Sequence, residues 1–147
     1  MSTRILLREI CHGRSGDKGP DVNVGIAVYD PVHFQWVKDH FTATVVAKYL
    51  KQVTDGPVTR YELPRLGALN FMIRNGLGGG STKSLVVDGF GKNFSQILLD
   101  MEVEAPPGYS ASHSEVPRGP AEGGSRPAQT LPARQSVAAG RKKVVRL

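Results

Sequence analysis

Eight consecutive residues, His12-Gly13-Arg14-Ser15-Gly16-Asp17-Lys18-Gly19, bring an imidazole, a guanidinium, an ammonium, a carboxylate and a hydroxyl together with three glycines. A connection between two strands needs a glycine or two and some polarity, not this density of functional groups. Glycines let backbone N–H groups turn inward, and Arg14 and Lys18 would reinforce such a concavity as an anion site. The other reading is a solvated hairpin whose charges pair with one another, and spacing alone leaves both open. Within the first reading, Arg14, Gly16 and Lys18 hold the anion, Ser15 orients it, and Asp17 orients the cations. His12 is placed to act as a general base near neutral pH, with Asp17 as the other acid/base candidate.

Three further features could join such a site. Asn75-Gly76-Leu77-Gly78-Gly79-Gly80 resembles a phosphate-cradling turn, with Gly78, Gly79 and Gly80 allowing close approach. It lacks the Gly-Lys-Ser/Thr ending of a P-loop and is predicted to run from strand to strand, whereas a dinucleotide fingerprint opens a helix. Tight backbone packing is the plainer account of those glycines. Lys92 follows Gly91 near the expected start of a helix, where free N–H groups attract anions; an ordinary helix start with Asp88 on the cap side and Lys92 on a solvated face is the plainer account. Asn23 and Asn70 fall on the polar positions of two alternating segments, where amides can orient a carbonyl or carboxylate.

Other chemistry is poorly supported. Cys11 and His12 are adjacent, so on a strand they point to opposite faces and cannot form a nucleophile–base pair. His12 and Asp17 lack a third ligand at metal-binding spacing, so no metal and no bound cofactor are expected.

The elements that must position these groups follow from periodicity. Arg4–Cys11 reads as a strand leading into the glycine-rich loop. Val22, Val24, Ile26 and Val28 alternate with Asn23, Gly25, Ala27 and Tyr29, giving a strand with one apolar face and one mostly small face. Asp30-Pro31 opens a helical region in which Val37, Phe41, Val45, Tyr49 and Val53 recur at helical spacing, with Thr42 or Thr44 able to start a second helix. Strands are predicted at Val58–Leu63, around Leu69, Phe71 and Ile73, and at Lys83–Val87. A last helix carries Phe94, Ile97, Leu98 and Met101 on one face. The order is a cyclically shifted ββαββα, an α+β two-layer ferredoxin-like sandwich with a mostly antiparallel sheet.

Composition divides the chain. Residues 105–147 hold six of the ten prolines and five of the seventeen glycines, with no Phe or Trp. Seven basic against two acidic side chains there give +5 of the formal +6, and 1–104 are nearly neutral. We therefore read 1–104 as the folded domain and 105–147 as a disordered Pro/Gly/Arg-rich basic tail, unable to bury enough apolar surface to offset its ordering entropy. Basicity confined to such a tail argues against nucleic acid as partner. One cysteine excludes an internal disulfide and fits a reducing compartment. The short run Ile5-Leu6-Leu7 is too brief for a signal peptide or membrane span, so a cytoplasmic protein without membrane contact is expected.

Arg14-Ser15-Gly16-Asp17-Lys18-Gly19 with Asn23, then Leu66-Gly67-Ala68-Leu69-Asn70-Phe71, then Leu77-Gly78-Gly79-Gly80, then Asp88 with Gly91-Lys92 ahead of Leu98-Leu99-Asp100-Met101-Glu102, resemble the acyclic terpene utilisation (AtuA)-like domain family in order and spacing. The resemblance covers roughly residues 4–104; Pro20 replaces the more usual Asp or Asn after Gly19, and the tail has no counterpart. It implies a ferredoxin-like fold in a domain found at the C-terminus of larger AtuA-type proteins or as a separate small protein. It also implies acyl-CoA-linked catabolism of acyclic terpenes or branched acids. The expected function is a substrate-binding accessory subunit of a larger AtuA-type protein, or a homo-oligomer, taking an acyl-CoA or other carboxylate-bearing ligand. The alternative is a stand-alone acyl-CoA hydratase or lyase using the His12–Lys18 loop.

Overall fold

The structure is a computed structural model that describes residues 3–80, 82–85 and 87–111. Most of the stretch read as a disordered tail, from 112 onward, lies outside the described residues.

The alternating segment forms the central strand β3, Asp21–Val28, with Val22, Val24, Ile26 and Val28 buried. Each such aliphatic side chain contributes roughly 1.5–3 kcal/mol by leaving water. β3 pairs antiparallel with β2, Cys11–Lys18, through the Gly19-Pro20 turn, and on its other side with β5, Ala68–Ile73. β4, Val58–Leu63, flanks β5, so the sheet order is β2-β3-β5-β4 with every pairing antiparallel. β1, Arg4–Leu6, and β6, Glu102–Glu104, form a separate two-stranded ladder.

Three helices, α1 Phe34–His40, α2 Ala43–Leu50 and α3 Phe94–Leu99, supply the second layer. Val37, Phe41, Val46, Leu50, Phe94 and Leu98 join Leu69, Phe71 and Ile73 of β5 in one core. Leaving aside β1 and β6 and counting α1 and α2 as one helical region, the order is the expected ββαββα. The opposite face of the sheet carries no helix among the described residues. Register and alternation place His12, Arg14, Gly16 and Lys18 there, beside Asn23, Gly25 and Ala27, then Ala68 and Asn70, then Tyr61 and Leu63.

The structure departs from the sequence reading in three places. The functional loop 12–19 is mostly strand: β1 stops at Leu6, a 3₁₀ turn spans Leu7–Glu9, and β2 runs to Lys18. Gly13 serves close packing here, since a Cβ on it would lie 2.9 Å from the Gly25 carbonyl oxygen. Lys83–Val87 is not a strand among its described residues, because no sheet edge pairs with it; Leu85 and Val87 stand fully exposed. Finally, the helical stripe changes phase. Thr42 accepts the Val45 N–H at 3.2 Å and starts α2 afresh after Phe41. Val46 and Leu50 therefore turn inward, while Val45 and Val53 remain on the surface.

Candidate functional site

Arg14, Ser15, Gly16, Asp17, Lys18, Asn23 and Lys92 line a groove of about 290 Å³ on the open side of the sheet and around its β2 edge. Arg14 lies opposite Gly25, Gly16 opposite Asn23, and Lys18 opposite Asp21. Lys92 reaches the groove from the start of α3: a Cβ on Gly16 would meet its Nζ at 2.9 Å. The absence of a side chain at Gly16 thus makes room for the third cation.

The ion pairs among the described residues join Arg4 to Glu102, Arg8 to Asp100, Lys38 and Arg60 to Glu62, and Arg74 to Asp21. None involves Arg14, Lys18, Lys92 or Asp17. Asp21 would be the natural cross-strand partner of Lys18. Its carboxylate instead accepts the Asn75 N–H at 2.8 Å and an Arg74 Nη1–H at 2.8 Å. The Asn75 N–H, followed by Arg74, holds the Asp21 carboxyl below its ordinary range. Three cations therefore surround one groove, with Asp17 as the sole carboxylate lining it among the described residues.

Ser15 points to the helical layer. Its Oγ accepts the Ser95 N–H at 3.0 Å and lies 3.0 Å from the Lys92 carbonyl oxygen and 3.2 Å from Ser95 Oγ. Asp88 accepts the N–H groups of Lys92 at 2.9 Å and Asn93 at 2.7 Å. The Lys92, Asn93 and Ser95 N–H groups around the head of α3 are thus engaged by the protein itself. Lys92 offers the groove its ammonium rather than a helix terminus. The Ser15 hydroxyl, expected to orient an anion, is committed to seating α3.

Asn23 and Asn70 meet as the alternation predicts, with Asn23 Nδ2 donating to Asn70 Oδ1 at 2.8 Å. Beyond them a second, mainly apolar groove of about 230 Å³ lies between His12 and Arg14 on one side and Leu63 on the other, floored by Gly25, Ala27 and Ala68. Arg14 lines both grooves. Sequence reasoning noticed the small face of β3 but missed this groove, because Ala68 and Leu63 reach it only through the β3-β5-β4 pairing.

His12 sits on that open face, its ring 5.3 Å from Tyr29. Cys11 is fully buried on the other side, and desolvation pushes its thiol up to about 12, leaving a neutral, inert group. Gly78, Gly79 and Gly80 do not line the cationic groove. Their loop braces the β2–β3 turn instead: the Leu77 N–H donates to the Pro20 carbonyl at 3.1 Å, and Gly80 packs on Gly19. Among the described residues no group of three or more His, Cys, Asp or Glu is arranged to hold a metal ion, and no helix is long and apolar enough to cross a membrane.

No curated protein and no solved structure matches the chain. The family model of the AtuA ferredoxin-like domain matches residues 5–104, spanning β1 through β6 with both grooves. With that match over two thirds of its length and the antiparallel α+β fold beneath it, the chain belongs to the AtuA ferredoxin-like domain family.

Proposed function

We propose that the chain is an accessory, substrate-binding subunit that works with a larger AtuA-type protein in acyl-CoA-linked catabolism of acyclic terpenes or branched acids. The observation that supports this most directly is the convergence of Arg14, Lys18 and Lys92, without carboxylate partners among the described residues, on one groove. Like charges held together are stabilised by a bound anion, and a guanidinium flanked by ammonium groups suits a carboxylate or phosphate. The Asn23–Asn70 bond uses the Asn70 oxygen, so the Asn70 amide nitrogen, without a hydrogen-bond partner among the described residues, is available to meet a carbonyl.

Titration of the full chain with a CoA thioester tests the ligand. Arg14→Ala with Lys18→Ala is expected to weaken binding at least roughly tenfold, since a charge-assisted hydrogen bond contributes about 1.5–3 kcal/mol. Unchanged affinity would remove the cations from the site. Affinity purification from the native cell tests the partner, and recovery of this chain alone would end the subunit reading. Turnover of enoyl- or hydroxyacyl-CoA esters by the isolated chain, dependent on His12 or Asp17, would establish the stand-alone enzyme instead.

A further inference from the structure

The two grooves on the open face share Arg14 and are joined by a hydrogen bond, Asn23 lining the cationic one and Asn70 the apolar one. They differ sharply in chemistry. One is bounded by Arg14, Lys18 and Lys92, the other by Ala27, Leu63 and Ala68. Charge and polarity therefore change along one surface, and Arg14, a cation with no ion-pair partner among the described residues, stands at the junction. From the Gly16–Asn23 pair to Ala27 is four residues of β3, roughly 13 Å at a strand's rise, comparable to a medium-length alkyl chain.

We infer that the open face binds a single amphiphilic anion laid across both grooves. Its anionic group is held by Arg14, Lys18 and Lys92, and its apolar chain crosses Ala27 and Ala68 toward Leu63. This rests on the anion-binding reading above and adds the place and polarity of the rest of the ligand. A purely polar anion leaves the apolar groove in water, and a purely apolar ligand leaves three cations without a partner. A ligand carrying both parts satisfies the whole surface. The Asn23–Asn70 pair lies under the join, where a carbonyl or ester linking head to chain would fall.

Alkyl phosphates provide a probe that owes nothing to CoA recognition. Affinity of the full chain for inorganic phosphate and for methyl, butyl and octyl phosphate is measured by calorimetry below micelle-forming concentrations. Half-burial of the chain on an open face predicts a gain of about twofold per methylene, against roughly fourfold for complete burial. Ala68→Phe, or Ala27→Leu should the first variant fail to fold, is expected to lower the octyl-to-inorganic phosphate affinity ratio at least tenfold. Phosphate binding with no dependence on chain length would overturn this inference and leave the anion site standing. Failure of every phosphate to bind would overturn both. A dimer dispersed by Ala68→Phe, again without chain-length dependence, would assign the groove to a second copy of the chain and equally overturn the proposal.

Discussion

Asp21 lies across the ladder from Lys18, and its carboxylate turns to Arg74 and the Asn75 N–H instead. That choice leaves Lys18 without a carboxylate partner among the described residues and ties the β3 start to the end of β5. Because the fold lowers the Asp21 carboxyl from its ordinary value of 3.8, its stabilisation is complete above that pH and is lost as pH falls through the folded value. Asp21→Asn should therefore lower the melting temperature at neutral pH and flatten the acid decline, with variant and wild type converging well below pH 3.8 in thermal melts. Residue identity made some of these roles legible. Asp30 caps as a residue before Pro31 should, accepting the Val32 N–H at 3.0 Å, and Asn23 finds Asn70. Ser15 was not legible as an anchor for α3, because its partners lie 77 to 80 residues away.

At the level of elements, patterns survive wherever one face is continuously buried. The β3 alternation is such a case, and both its ladders follow from it. Patterns mislead where an element restarts: a helical stripe extrapolated through Thr42 selects Val45, Tyr49 and Val53, but the new helix faces the core with Val46 and Leu50. The two phases separate in urea unfolding. Leu50→Ala is expected to cost about 2–5 kcal/mol, as for a fully buried leucine, and Val45→Ala about 0.5 kcal/mol or less. β2 was hidden for a different reason. Its glycines and charges imitate a turn, whereas they serve an edge strand with one face on α3 and the other uncovered among the described residues. A strand that needs only one apolar face, and fills it with Cys11, Gly13 and Ser15, carries little hydrophobic signal.

On the scale of the whole molecule, the compositional boundary at 104 does not coincide with the last contact. Ala105 N–H donates to the Thr3 carbonyl at 2.8 Å, Pro106 is buried, and the Tyr109 hydroxyl donates to Glu9 at 2.6 Å. That hydrogen bond raises the Tyr109 phenol above its ordinary value, as expected for a neutral donor held by a carboxylate. A chain ending after Ala111 should therefore unfold at higher urea than one ending after Glu104, by about 1–2 kcal/mol for the lost hydrogen bonds and packing. The same molecular scale gives Lys92 a second consequence. The backbone carbonyl of Lys92 is beside Ser15 on the helical side of β2, and its ammonium lies above Gly16 on the open side, so the side chain wraps the rim of an outermost strand. A charged group in that position obstructs the approach of a foreign backbone to unpaired peptide groups. The third cation of the groove thereby doubles as a guard against edge-to-edge aggregation, and neutralising it exposes the sheet to uncontrolled growth as well as weakening its hold on an anion.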